Sequence, residues 1–155
     1  MLIARIQDFV QRTADRLSWL PPAVARLALG VTFVLTGWGK LHSLEQVTQY
    51  FTDLGIPGAA IQAPMVAGIE FIGGLLLIIG LFTRYASVPL MGTMIVAIIT
   101  AKREDIHGLG DLVGTTEFAY LALFLWLAVA GGGKLSLDYL LTKLMRPARA
   151  EKQAA

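Results

Sequence analysis

The chain has 155 residues, of which 55% are hydrophobic and 15% charged, and its formal net charge is +2. With a mean hydropathy of +0.64, this composition argues against a water-soluble domain and a disordered chain, and favours a membrane domain. The absence of cysteine excludes disulfides, thiolate metal sites and a thiol relay within this polypeptide.

Residues 1–20 predict an amphipathic helix that lies on the membrane surface. Charged residues such as Arg5, Asp8 and Arg12 interrupt the apolar run that a signal peptide requires. Apolar residues recur at helical spacing on the opposite side. They are Leu2, Ile6, Phe9, Val10, Leu17 and Leu20.

Four apolar stretches then predict membrane-spanning helices. They cover Pro22–Trp38, Ala63–Phe82, Ala86–Ala101 and Phe118–Gly131. Their lengths are at or slightly below the roughly 20 residues that cross a bilayer core. The alternative, a soluble bundle, is disfavoured because these segments lack polar stripes. We therefore predict an all-α, integral membrane four-helix bundle over residues 21–138.

The connections carry their own signals. Ser43 and Gln46 predict a capping box that starts a second amphipathic helix, which Gly55 and Pro57 end and which forms a lid over the outer end of the bundle. Three glycines between Lys102 and Thr116 predict an irregular loop. Residues 139–155 are expected to form a basic cytoplasmic tail.

The distribution of cations predicts the orientation. If both termini lie on one side, that side carries ten cations and the other only Lys40, Lys102 and Arg103. The ten are Arg5, Arg12, Arg16, Arg26, Arg84, Lys134, Lys143, Arg146, Arg149 and Lys152. The positive-inside rule places both termini in the cytoplasm of a multi-pass protein of the bacterial inner membrane. Because the cations are sorted by membrane side, we expect lipid and not nucleic acid as the partner.

Ionisable residues inside the spans form the candidate site. A charge in a span costs roughly 2.5 to 3.5 kcal/mol, so each needs a partner or a polar cavity. Arg26 and Lys40 share one face of the first span. Glu70 in the second span is either neutralised by one of them as a structural clamp, or acts as a proton relay, cation ligand or substrate acceptor. Glu117 and Tyr120 point together towards an outer pocket, unless Glu117 only serves the helix N-terminus.

Weaker candidates lie elsewhere. His107 and Asp111, four residues apart in the outer loop, are too few to predict a metal site. On the third span, Thr93, Ala97 and Thr100 form a small polar stripe beside Met91 and Met94. This stripe serves either helix packing or a quinone-sized groove.

In its ordered motifs the chain resembles the DoxX family of small four-helix membrane proteins. The shared pieces run from Arg26 to Asp138. They include Gly37-Trp38-Gly39-Lys40-Leu41, Leu54-Gly55-Ile56-Pro57, Glu70 with Gly73-Gly74, Ile79-Gly80-Leu81-Phe82-Thr83-Arg84, Glu117 with Tyr120, and Ser136-Leu137-Asp138. Three glycines, Gly131 to Gly133, stand where the family often has Gly-Pro-Gly. The resemblance implies the four-helix architecture and a link to membrane oxidoreductase systems, including a thiosulfate:quinone oxidoreductase of related subunits.

Three functions remain open at this point. The first is a membrane redox component without an intrinsic cofactor that docks a quinone and a redox-protein partner, with Glu70 and Glu117 exchanging protons and Lys40 or Tyr120 donating to a quinone oxygen. The second is a non-enzymatic scaffold whose buried charges hold the bundle. The third is a small-solute carrier, which requires a homodimer to provide enough room for alternating access.

Overall fold

A computed structural model describes the backbone of residues 2–153 and the side chains of residue 3 and of residues 5–145. Within this range the chain forms helices and no strands, as predicted. The helices are α1 (Leu2–Leu17), α2 (Leu20–His42), α3 (Leu44–Asp53), α4 (Ala59–Ile79), α5 (Thr83–Ile99), α6 (Leu109–Gly114), α7 (Thr116–Ala130) and α8 (Leu137–Gln153). The helix α8 begins two residues before the predicted tail. The side chains of Leu2, Arg146, Arg149 and Lys152 lie outside the described residues.

Four helices make up the core as two pairs. Helix α2 packs along α4 and α5 along α7, while α4–α5 and α2–α7 contacts between the pairs are sparser. Glycines bring α2 and α4 unusually close, because a Cβ atom added at Gly74 would lie 2.7 Å from the backbone nitrogen of Val34. Small residues that permit such contact are typical of helix pairs in membranes.

Large apolar side chains lie both between these helices and on their outer surfaces. Leu29, Leu77, Leu90 and Phe124 are buried between them. Large apolar side chains are also exposed on all four. Examples are Val31, Leu35, Ile61, Ile72, Ile95, Ile99, Leu125 and Val129. By length and composition α2 and α4 are able to cross a membrane, whereas α5 and α7 are shorter, at 17 and 15 residues.

Helix α1 stands apart from this core and makes no extensive contact with another helix. Its apolar side chains, including Ile6, Phe9 and Val10, are exposed. The amphipathic pattern therefore forms a helix, but no other part of the described chain covers its apolar face.

Two predictions about the connections are wrong in detail. The capping box at Ser43 does not form, because the Ser43 hydroxyl donates to the carbonyl of Gly39 at 2.8 Å. Ser43 is the only residue between α2 and α3, so its side chain reaches back to the last turn of the preceding helix. The loop predicted as irregular contains α6, which starts where the amide of Leu112 donates to the carbonyl of Gly108.

The tight α4–α5 turn and the α7–α8 connection meet at one end of the core, here called the turn end. The Asp138 carboxylate accepts hydrogen bonds from the amides of Phe82 at 2.7 Å and Thr83 at 2.9 Å, and the Asp138 amide donates to the carbonyl of Gly80. Ser136 caps α8, since its hydroxyl accepts from the amide of Tyr139 at 3.2 Å. These bonds fix where α5 and α8 begin.

Candidate functional site

A pocket of about 660 Å³ lies at the opposite end of the core, here called the pocket end. Helices α2, α4, α5 and α7 form its walls, and α3 contributes Val47 and Phe51. The amphipathic helix that was predicted as a lid thus borders this pocket. Most of the lining is apolar, and the ionisable side chains in it are Lys40, Glu70, Glu117, Tyr50 and Tyr120.

Lys40 and Glu70 form an ion pair in this pocket. The Lys40 Nζ atom donates to Glu70 Oε1 at 2.6 Å. The Glu70 side chain is 3% exposed and that of Lys40 is 32% exposed. The second carboxylate oxygen, Oε2, is buried and has no hydrogen-bond partner among the described residues. One acceptor in the pocket is therefore left without a donor.

Glycine at position 37 sets the register of this pair. A Cβ atom there would collide with the backbone of Phe71 and lie 2.9 Å from the carbonyl oxygen of Ala67. Helices α2 and α4 run in opposite directions, so Glu70, which lies between Ala67 and Phe71, is opposite Gly37. Lys40 lies about one turn beyond Gly37 on α2, and its long side chain reaches the carboxylate. The contact between backbones brings the cation to the acid.

Glu117 and Tyr120 lie in the first turns of α7. The Thr115 hydroxyl caps this helix by accepting from the amide of Phe118 at 3.2 Å. The Tyr120 ring packs edge-on against buried Phe33, with ring centroids 5.6 Å apart. Both residues line the pocket, and Glu117 takes part in neither of the two ion pairs found in the described part of the chain.

Arg26 is not part of this site. It is buried at the turn end, where Nη1 donates to the carbonyl of Leu77 at 3.1 Å and Nη2 to that of Leu135 at 2.8 Å. The 14 residues between Arg26 and Lys40 correspond to about 21 Å along a helix. Arg26 therefore holds helix ends together and does not reach Glu70.

His107 and Asp111 also lie outside the pocket, and both are exposed. The backbone amide of His107 donates to Asp111 Oδ2 at 3.0 Å, across the start of α6. Among the side chains that the structure describes, those of residue 3 and of residues 5–145, no group of three or more His, Asp or Glu is placed to hold a metal ion. The contact between these two residues is a local loop contact.

Three polar residues were not predicted from the sequence to lie in the pocket. Gln46, Tyr50 and Gln62 line it, and Gln62 Nε2 donates to the carbonyl of Pro57 at 2.6 Å. Gln46 and Tyr50 are four residues apart on α3, next to the apolar residues that pack inwards. Their helical spacing was the available signal, but only the fold shows which side of α3 meets the pocket.

Comparison with known proteins identifies the family. The DoxX family profile matches residues 22–103, from the start of α2 to just beyond α5. The chain belongs to the DoxX family. The match includes Lys40 and Glu70, whereas Glu117 and Tyr120 lie beyond it.

Curated DoxX relatives are similar over most of their length. Inner membrane protein YqjF of Escherichia coli K12 is 31% identical over 120 residues, which are 77% of this chain and 91% of the relative. A Bacillus subtilis 168 protein named "Putative oxidoreductase CatD" is 36% identical over 115 residues, 73% of this chain and 81% of the relative. Inner membrane protein YphA of E. coli K12 is 30% identical over 122 residues, 74% and 86% of the two chains. No solved structure matches the chain.

Proposed function

We propose that this DoxX protein crosses the bacterial inner membrane four times, with both termini in the cytoplasm. Exposed apolar side chains around α2, α4, α5 and α7 suit contact with lipid tails, because a soluble domain rarely exposes so much apolar surface. The two shorter helices, α5 and α7, extend about 23 to 26 Å at 1.5 Å per residue, close to the bilayer core. The turn end then faces the cytoplasm, and α1 lies on the inner leaflet with its arginines beside lipid headgroups.

Within that membrane, the protein serves as a quinone-binding component of an oxidoreductase system. The observation that carries this proposal is the Lys40–Glu70 pair at 2.6 Å in a mostly apolar pocket. An ion pair that only holds helices together needs no cavity beside it, whereas a ligand site combines apolar walls with a few polar groups. The name of the relative CatD supports the association with redox chemistry.

The pocket residues fit a quinone headgroup. Lys40 Nζ and the Tyr120 hydroxyl are donors for ring oxygens, while Phe33, Ile69 and Met94 offer apolar surface to a ring and its tail. The volume of about 660 Å³ lies within the range of small-molecule sites. A bound quinone would supply two-electron redox chemistry.

The chain itself contributes orientation and proton handling. Lys40 orients a ring oxygen, and Glu70 and Glu117 accept protons. Glu117 is partly exposed at the start of α7, so it connects the pocket to the aqueous surface. The chain has no cysteine, and so no thiol group that could take up electrons. A redox-protein partner therefore exchanges electrons with the bound quinone.

Quinone retention tests this proposal. We expect protein purified from bacterial membranes in mild detergent to contain quinone in its organic extract, measured by mass spectrometry. Lys40→Met removes the principal donor and is expected to lower the quinone content about tenfold, the usual loss for a hydrogen bond to a charged group. The control Lys102→Met changes a lysine outside the pocket, paired with Asp105, and is expected to retain the wild-type content. Wild-type protein that neither retains nor binds added quinone would contradict the proposal.

A scaffold function is the second candidate, because the same ion pair joins α2 to α4. If the pair is purely structural, Lys40→Met lowers thermal stability by leaving a buried carboxylate unpaired, at a cost of up to about 3 kcal/mol. The double variant Lys40→Met/Glu70→Gln then recovers most of this loss. Recovered stability in the double variant, together with unchanged quinone content in both Lys40→Met and the double variant, would favour the scaffold over the redox component.

A further inference from the structure

We propose that the pocket selects ligands that present a hydroxyl hydrogen, and hence binds the hydroquinone form more tightly than the quinone. This inference rests on the proposed function and goes further, because it chooses between the two redox forms of the ligand. Its basis is the Oε2 atom of the pocket residue Glu70, which is buried and has no donor among the described residues.

The hydrogen-bonding capacity of Glu70 determines what it accepts. Lys40 Nζ lies 2.6 Å from Glu70 Oε1, and in such an ion pair both oxygens of the carboxylate are acceptors only. Oε1 accepts from Lys40, whereas Oε2 has no donor among the described residues. A quinone carbonyl offers only lone pairs to this oxygen, whereas a hydroquinone hydroxyl offers a proton.

Lys40 provides hydrogen-bond donors beside this acceptor. Its ammonium group has three N–H donors, of which one binds Glu70 Oε1. The side chain is about one-third exposed, so donors remain available to a ligand. A single hydroxyl group satisfies both partners, because its oxygen accepts from Lys40 and its hydrogen is donated to Glu70. A carbonyl satisfies Lys40 alone.

The hydroxyls of Tyr50 and Tyr120 also line the pocket, and because a phenol both donates and accepts, they suit either redox form. Glu117 adds a second carboxylate to the lining. The Thr93 hydroxyl already donates to the carbonyl of Leu90 at 2.8 Å, and one of the two N–H groups of the Gln62 side chain donates to the carbonyl of Pro57. The pocket thus has buried acceptor capacity to spare, which a ligand with O–H groups can satisfy.

Binding of matched ligands to the full-length protein tests the inference. Decylubiquinone, its hydroquinone and the dimethyl ether of that hydroquinone are titrated anaerobically into wild-type protein by calorimetry. We expect the hydroquinone to bind about tenfold more tightly than the other two, because only it carries the O–H donors. Equal affinities, tighter binding of the quinone, or an ether that matches the hydroquinone would each overturn the inference and leave the quinone site intact. Failure of all three ligands to bind would instead overturn the proposed function.

Variants locate the preference at Glu70. In Glu70→Gln the amide can turn either its carbonyl or its NH₂ group to the ligand, so the preference is expected to fall below about threefold. Glu45→Gln changes an exposed acid of α3 outside the pocket and is expected to keep the tenfold preference. A Glu70→Gln protein that keeps it as well would contradict the assignment to Glu70.

A redox titration of the ligand bound to wild-type protein tests the inference without any variant, so that misfolding of a variant does not affect the result. A tenfold preference for the reduced form raises the midpoint potential of a two-electron couple by about 30 mV. We therefore expect decylubiquinone bound to wild-type protein to titrate about 30 mV above the free compound in the same detergent. An unshifted or lowered potential would overturn the inference.

Discussion

Asp138 shows how one side chain joins three segments. Its carboxylate accepts from two amides at the start of α5, those of Phe82 and Thr83, while its own amide donates to Gly80 at the end of α4. Phe82 has a φ of 51°, a backbone conformation that is uncommon for residues other than glycine. The two hydrogen bonds offset that strain and attach the start of α8 to the α4–α5 turn.

Asp138→Asn is therefore expected to lower the free energy of unfolding by about 1 to 2 kcal/mol, as for the loss of a helix cap. An asparagine has one acceptor oxygen, so its NH₂ group would face one of the two backbone amides. The measurement is the thermal unfolding midpoint in detergent. Asp8→Asn, an exposed position on α1, is the matched control and is expected to leave the midpoint unchanged. Equal midpoints for both variants would show that the Asp138 contacts contribute nothing to stability.

At the scale of the helices, periodicity and apolar length are enough to predict where the main elements lie. They are not enough to predict which cation pairs with Glu70, because Arg26 and Lys40 both lie on the same face of α2. The axial register between α2 and α4 decides this, and the contact of Gly37 with Phe71 sets that register. Such a contact depends on two segments more than 30 residues apart, so no local pattern encodes it. The Ser43 capping box failed for a related reason, since the Ser43 side chain turns back to the preceding helix, where its hydroxyl donates to the carbonyl of Gly39, and does not accept from the start of α3.

Two glycines of α2 provide a matched test of this register. In Gly37→Ala the new Cβ atom would overlap the backbone of Phe71, whereas at Gly39 it would meet nothing within 4 Å. We expect Gly37→Ala to cost about 1 to 3 kcal/mol through overpacking and to loosen the Lys40–Glu70 pair. Gly39→Ala is expected to be neutral or to stabilise by up to about 1 kcal/mol, because alanine favours a helix. The thermal midpoints of both variants are compared with wild type. A Gly37→Ala protein as stable as Gly39→Ala would mean that the α2–α4 spacing is adjustable.

Over the whole molecule, the two helix pairs are joined differently at their two ends. Arg26 and Asp138 bind them through backbone groups at the turn end, while the pocket occupies the space between them at the other end. The sequence does not reveal this difference, because large apolar side chains lie both inside the core and on its outer surface. What it does reveal are the ionisable groups, of which Lys40, Glu70, Glu117 and Tyr120 line the pocket.

Filling the pocket from α5 tests whether this space is the ligand site. Gly92 lines it, and a Cβ atom there would meet no atom within 4 Å. We therefore expect Gly92→Phe to lower quinone affinity at least tenfold while the thermal midpoint changes little, because the ring occupies space that a ligand requires and displaces no packed group. Gly68 on α4 is equally open but does not line the pocket, so Gly68→Phe is expected to bind as wild type does. Since both variants add the same ring to a core helix, a difference between them reports on the pocket and not on a general effect of the larger side chain. Undiminished binding by Gly92→Phe would place the quinone elsewhere on the protein.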